Sequence, residues 1–269
     1  MTVITGLDMA IANVSTAHSY RMEISDELKE YIASGGASGV GNKCGIDEWR
    51  GAAMAYGYLP PAAAKPGTVG FALSASLDGT YGFSGTAYCE AWEIVWDIEN
   101  GEYIAYTIQF SRNGAITAGE VSQTDSTQPD PPCSQSLPLK LNGSTVSDVS
   151  YMRLRLTCPG RWYVSSSTSG GRLRKRGAMK AEFEYHCYYQ DPSGWPSRGT
   201  NYTVQPYCTD SLYYDINWMK VRSISPYVNT EARRPVNARV IMDLNSSNGS
   251  SQGYIKTPES SPTTLWPFS

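Results

Sequence analysis

The sequence predicts a mostly β protein, with little helix and two tandem domains of β-sandwich or barrel type. Three observations support this class. Short runs rich in aromatic and β-branched residues are bounded by Gly, Pro, Asn or Asp. The 269 residues include 19 Tyr and 7 Trp. The strand pattern of the first half also recurs in the second half. With 41% hydrophobic and 17% charged residues, the chain is expected to bury a core rather than to be disordered.

Strand signals dominate the first half of the chain. The predicted strands cover residues 19–25, 30–34, 49–58, 68–77, 86–98 and 102–111. Residues 25–33 also carry helix features, because Ser25 is a suitable N-cap and acidic residues follow it. The corresponding segment of the second half contains Pro159-Gly160, which breaks a helix, so both segments are interpreted as hairpins.

The clearest β-hairpin is predicted around Asn100-Gly101, a dipeptide that favours tight turns. On either side, apolar residues alternate with polar ones, so the apolar residues share one face. That face comprises Trp92, Ile94, Trp96, Ile98, Ile104, Tyr106, Ile108 and Phe110. The opposite face of the first strand and its end carry the acidic residues Glu93, Asp97 and Glu99.

A linker separates two similar halves. Residues 119–136 are rich in Pro, Ser, Thr and Gln, which divides the chain into a domain at 1–118, a linker at 119–136 and a domain at 137–269. Residues 150–188 repeat the features of residues 19–58, with Arg176-Gly177-Ala178 aligned to Arg50-Gly51-Ala52. Residues 216–224 and 236–244 similarly repeat 92–98 and 104–110.

The charge is distributed unevenly between the halves. Residues 1–118 contain 6 Lys and Arg against 13 Asp and Glu, a net charge of −7. Residues 119–269 contain 16 against 12, a net charge of +4. This asymmetry predicts either docking of one half on the other or a polyelectrolyte partner. A solvated surface without an electrostatic partner is the alternative.

Motifs for catalysis, metal binding and cofactor binding are not found, so no enzyme activity and no cofactor are expected. The six cysteines are scattered without a C-x-x-C motif. The two histidines are His18 and His186. Because His186 and Cys187 are adjacent on a predicted strand, they point to opposite faces and cannot share a metal. The N-terminal residues do not resemble a secretion signal, so synthesis in a cytoplasm is expected.

Two segments resemble the tail tube proteins of long-tailed bacteriophages. They are DEWRGAAMAYGY at residues 47–58 and GTVGFALSASLDGTYGFSGTAYCEAWEIVWDIENGEYIAYTIQFSRNGA at residues 67–115. The resemblance is strongest over residues 45–117 and weaker over the second copy. It implies tail-tube-like β-sandwich domains whose inner sheets join around a ring and line a channel for double-stranded DNA. It also implies a virion location, contacts with other tail proteins and no membrane.

Two copies in one chain further imply that three chains form a ring of six similar units. The family's ring-stacking loop would correspond to residues 34–44 and 165–176. Candidate stacking residues are therefore Gly35, Gly36, Gly39, Asn42, Lys43, Arg172, Arg174, Lys175 and Arg176. The candidate lumen-facing acidic residues are Glu93, Asp97 and Glu99, because fixed negative charge repels DNA phosphates.

Two other functional classes remain open at the level of sequence. A baseplate hub or a capsid decoration protein would share the fold and the Ser/Gly-rich loops. A tandem glycan-binding β-sandwich would use exposed aromatic rings to stack on sugars. Its candidate residues are Trp49, Trp162 and Trp195.

Overall fold

The computed structural model describes residues 10–11, 17–32, 40–77, 79–121, 132–164, 173–188, 195–227, 237–244 and 253–266. These residues form 17 strands and one three-residue 3-10 helix at Ala62–Ala64. The predicted mostly β class with little helix is confirmed. None of the helices in these ranges is long and apolar enough to cross a membrane.

The strands divide between the two halves of the chain. The first half contains β1 (Ala10–Ile11), β2 (Ala17–Ile32), β3 (Val40–Tyr56), β4 (Val69–Ser76), β5 (Tyr81–Asp97) and β6 (Ala105–Glu120). The second half begins with β7 (Leu139–Leu141), β8 (Ser144–Val146), β9 (Val149–Thr157), β10 (Arg161–Tyr163), β11 (Leu173–Lys175) and β12 (Lys180–Tyr188). It ends with β13 (Asn201–Pro206), β14 (Asp215–Tyr227), β15 (Asn237–Leu244), β16 (Ile255–Lys256) and β17 (Thr264–Trp266).

One antiparallel sheet of 15 strands runs through both halves, and β10 and β11 form a separate two-stranded ribbon. The main path is β2-β3-β6-β5-β9-β12-β15-β14-β13-β7-β8. Strand β5 joins the halves, because its first part pairs with β4 and residues 91–97 pair with β9. Buried side chains from both halves form a single core cluster. The division into two domains therefore stays a prediction, and β6 includes the first two residues of the predicted linker.

The main path contains the same four-strand unit twice, as β2-β3-β6-β5 and then β9-β12-β15-β14. The pairing register is also repeated. In the first unit, Ala53 pairs with Tyr20 and Ile108. In the second unit, Tyr185 pairs with Met152 and Val240. The three residue numbers each increase by the same amount (185 − 53, 152 − 20 and 240 − 108). We call this constant difference the repeat offset. It shows that the repeat is present in the strand pairing of the sheet as well as in the sequence.

Two of the irregularities in the pairing recur at the same offset. The ladder between β5 and β6 skips Glu90, and the ladder between β14 and β15 skips Arg222. The ladder between β2 and β3 skips His18, and that between β9 and β12 skips Ser150. A β-bulge bends a strand and increases its twist, so equivalent bulges give both units the same local bends.

Two sequence-based assignments are wrong. Strand β2 runs without a break from Ala17 to Ile32 and pairs with β3 along its length, so residues 19–32 do not form a hairpin. A break does occur in the second half at Pro159-Gly160, between β9 and β10. The alignment of the two Arg-Gly-Ala tripeptides is also wrong, because the observed register places Gly51 at the position of Phe183. The shared tripeptide is short, and its two copies are not equivalent in the strand pairing.

The predicted hairpin around Asn100-Gly101 is confirmed. Trp92 pairs with Ile108 and Ile94 pairs with Tyr106, and these side chains are buried. At the turn, Gly101 has φ 66°, and its N–H donates to the carbonyl of Ile98 at 3.2 Å. The aromatic face of this hairpin is part of the core cluster.

Candidate assembly surface

Ion pairs join the acidic first half of the chain to the basic second half. Glu93 on β5 lies opposite Arg155 on β9, with 3.6 Å between Oε2 and Nε. Glu48 on β3 accepts a hydrogen bond from Arg174 on β11 at 2.8 Å. In both pairs the acid comes from the first half and the arginine from the second. The two halves therefore dock through opposite charges, which is one of the outcomes that the charge asymmetry predicted.

The ribbon of β10 and β11 packs against the first half. The N–H of Arg174 donates to Oδ1 of Asn113 at 2.8 Å. Beside the ribbon, the hydroxyl of Tyr88 donates to the carbonyl of Cys158 at 2.7 Å. Burial, followed by the hydrogen bond with Cys158, raises the pKa of Tyr88, so its hydroxyl stays protonated and can donate. The ribbon of β10 and β11 is called the arm of the second unit below. It covers part of the first unit.

The residues predicted to stack rings do not lie in one environment. Arg174 is engaged inside the chain, whereas Lys175 and Arg176 are exposed, with the Lys175 ammonium 5.1 Å from the centre of the Tyr163 ring. Asn42 and Lys43 lie in strand β3 rather than in a loop. Gly35, Gly36, Gly39 and Arg172 lie outside the described residues. A stacking role for these residues stays a prediction.

The three predicted lumen-facing acids do not share one environment. Glu93 is half-buried and faces Arg155. Asp97 stabilises the hairpin turn, because it accepts hydrogen bonds from the backbone N–H of Asn100 at 3.2 Å and from its side-chain amide at 2.8 Å. Glu99 is exposed just beyond the end of β5. Their role as a channel lining stays a prediction.

A network of charges covers the polar face of the second unit, opposite the core. Its centre is Glu184 on β12, whose side chain is 5% exposed. Glu184 contacts Arg153 at 2.5 Å and His186 at 2.9 Å, and Arg239 also donates to it. Burial alone would raise the pKa of Glu184, but hydrogen bonds from Arg239 and His186 and the charge of Arg153 lower it to about 2.

The network extends to both sides of Glu184 and balances its charges. Arg222 on β14 contacts Glu182 at 2.5 Å and Asp243 at 3.1 Å. Arg153 also contacts Glu182, at 3.2 Å. With Glu93 included, four arginines each contact a carboxylate on this face: Arg153, Arg155, Arg222 and Arg239. Their carboxylate partners are Glu93, Glu182, Glu184 and Asp243.

Three pairs of equivalent positions in the two units carry opposite charges. Glu23 pairs with Arg50 in the first unit, with 2.8 Å between Oε2 and a guanidinium nitrogen. At the equivalent positions of the second unit, the register pairs Arg155 with Glu182. The bulge residue is Glu90 in the first unit and Arg222 in the second. This inversion was not predicted from the sequence, because it is visible only when the correct register is known.

Two strand stretches have no partner along one side within the described residues. Strand β2 pairs with β3 alone, and its Ile24 side chain is 51% exposed. Strand β14 pairs on one side with β15, and on the other with β13 and β16 only as far as Lys220. Such edges present unpaired backbone groups to which another strand can bind.

The three tryptophans considered for sugar stacking differ in exposure. Trp49 is 1% exposed and donates its indole N–H to the carbonyl of Gly114 at 3.0 Å, so its ring cannot stack on a ligand. Trp162 is 52% exposed and Trp195 is half-buried. In the part of the chain that the structure describes, no three His, Cys, Asp or Glu side chains are grouped as metal ligands. No protein-family model and no curated protein matches the chain.

Proposed function

We propose that the chain is a virion structural protein whose rings stack into the tail tube of a long-tailed bacteriophage, the conduit for DNA. One observation carries the proposal: two equivalent four-strand units are joined edge to edge in a single sheet. A sheet built by repeating one unit can be extended by further copies of the chain. With two units in each chain, three chains supply the six units of a ring.

The polar face of the second unit suits a passage for DNA. Phosphate binding requires cationic side chains that can replace the counterions of DNA. The four arginines of this face are instead held by carboxylates, as described above. Arginines paired in this way carry charge without offering it to phosphate. We therefore assign this face to the lumen, with Glu93 as part of the paired lining rather than as an isolated negative charge.

Electron microscopy of the purified chain tests the proposal. Rings with a central channel wide enough for double-stranded DNA, and stacks of these rings at higher concentration, are the expected result. Image classes should show six similar units in each ring, and native mass spectrometry should show three chains. Particles that stay monomeric at every concentration, or that assemble without a channel, would contradict the tube function.

A baseplate hub is the second candidate, because a hub also requires a closed ring. The same microscopy separates the two functions, since a hub forms single rings and a tube protein forms stacks. A glycan-binding module is not supported further, because Trp49 is buried in the core.

A further inference from the structure

We infer that residues 223–227 of β14 in one copy of the chain pair with residues 21–25 of β2 in a second copy, with Ile224 opposite Ile24. This inference rests on the proposed function, because it names the contact that would close the ring. Its basis is the pairing of β5 with β9 within the chain. By the repeat offset, β14 corresponds to β5 and β2 corresponds to β9.

The register of the contact follows from the same offset. Within the chain, Trp92 on β5 lies opposite Leu156 on β9. The equivalent of Trp92 in the second unit is Ile224, and the equivalent of Leu156 in the first unit is Ile24. The ladder between the chains should therefore have the register of the ladder within the chain.

The side chains at these positions support pairing with a second copy. Trp92 and Leu156 are buried against each other's strands, with exposures of 1% and 0%. Ile24 has the position of Leu156 but is 51% exposed. Ile224 is half-buried at the rim of the core. A strand added beside β14 would place Ile24 next to Ile224 and remove its apolar surface from water.

Pro226 agrees with this assignment of the open edge. It corresponds to Ile94, whose backbone N–H points towards β9. This direction follows from the hydrogen bond of Cys158 N–H to the Glu90 carbonyl at 2.7 Å, because the backbone groups of every second residue of β5 point the same way. A proline is accepted in a strand where its nitrogen faces an edge. The ladder between chains therefore lacks one donor, opposite Met22, and is weaker by that hydrogen bond than the ladder within the chain.

Cysteine cross-linking tests the register. Glu23 and Ser225 are both exposed, and the offset places them directly opposite, as Arg155 is opposite Glu93. They form a non-hydrogen-bonded pair, in which the Cα atoms approach to about 4.5 Å, within the range for a disulfide. The variant Glu23→Cys/Ser225→Cys is made with Cys44 and Cys133 replaced by serine. Mild oxidation should give covalent dimers and trimers on a non-reducing gel.

Two matched variants control the experiment. In Ile24→Cys/Ser225→Cys, the cysteines would lie on opposite faces of the sheet, and cross-linked species should be lost. In Glu93→Cys/Arg155→Cys, the equivalent pair should close within one chain and leave the number of chains unchanged. Equal cross-linking of the matched and off-face pairs, or no cross-linking of the matched pair, would overturn the proposed register.

A second variant covers the case in which the cysteine variants fail to fold. Ile24→Lys places a charge in the contact and should shift sedimenting rings to single chains, whereas Glu99→Lys, away from the edge, should not. Unchanged rings with Ile24→Lys overturn the contact. Cross-linked rings that never stack would leave the contact standing and refute the tube function. Tubes without matched cross-links would leave the function standing and refute the contact.

Discussion

Arg174 and Glu48 form an ion pair across the boundary between the two halves of the chain, with 2.8 Å between the guanidinium and the carboxylate. Their side chains are only 12% and 14% exposed. Shielding from water strengthens the attraction but also makes either charge costly when its partner is removed. The pair therefore holds the arm of the second unit on the first.

We expect Arg174→Ala to lower the free energy of unfolding by about 2–4 kcal/mol, because it leaves Glu48 largely buried without this partner. Urea denaturation followed by fluorescence measures the change. Lys175→Ala is the control, since Lys175 is exposed and the loss of its contact with the Tyr163 ring should cost at most about 1 kcal/mol. Equal effects of the two substitutions would show that the arm is not held by this ion pair.

We expect Trp96→Ala to destabilise the protein by about 3–5 kcal/mol, since it leaves a cavity in the core. Trp96 is fully buried and meets Tyr214 of the second half edge to face, with 6.2 Å between ring centres. Because this contact crosses the halves, calorimetry should show one transition that moves as a whole to lower temperature. A second transition that keeps its original midpoint would instead demonstrate independently folding domains.

We expect stability to fall in acid because of Glu184. Its pKa is about 2 in the folded chain, against about 4.5 for an ordinary glutamate. The lowered pKa contributes up to about 3 kcal/mol above pH 4.5, and this contribution is lost as the pH falls towards 2. Denaturation curves between pH 6 and pH 2 measure the slope. For Glu184→Gln, the decrease over this range should be smaller, although the variant starts from a lower stability.

We expect DNA binding to appear when carboxylates of the polar face are neutralised. Glu182→Gln/Asp243→Asn removes both ion-pair partners of Arg222. The variant should bind double-stranded DNA in a mobility-shift assay, with an affinity that decreases as salt is raised. Glu99→Gln/Glu102→Gln changes the net charge equally at exposed positions outside the network and serves as the control. If both variants bind DNA alike, net charge rather than the paired arginines controls adhesion.

The sequence predicted the elements whose side chains alternate clearly between core and solvent. The hairpin of β5 and β6 is one of them, because residues such as Trp92 and Ile94 alternate with Glu93 and Val95. Residues 26–29 of β2 are DELK, which has no apolar face, so the pattern did not indicate a strand there. Pairing with β3 extends β2 through this polar run. Tertiary pairing, rather than local pattern, decides that strand.

The candidate surface was less predictable than the fold. The contact between β5 and β9 joins strands that are distant in the sequence, and no local signal indicates which strands are neighbours. Placing Glu93 opposite Arg155 requires that neighbour to be known. The unequal charge of the two halves predicted their docking as one of two outcomes, beside a polyelectrolyte partner. It could not identify Glu48 and Arg174 as the partners.

The covalent connection between β5 and β9 has a consequence for dilution. Both strands belong to one chain, so their association involves no loss of translational freedom and does not depend on protein concentration. A contact between separate chains has a dissociation constant and opens when the concentration falls below it. Diluted assemblies should therefore come apart into pieces of two units, never of one.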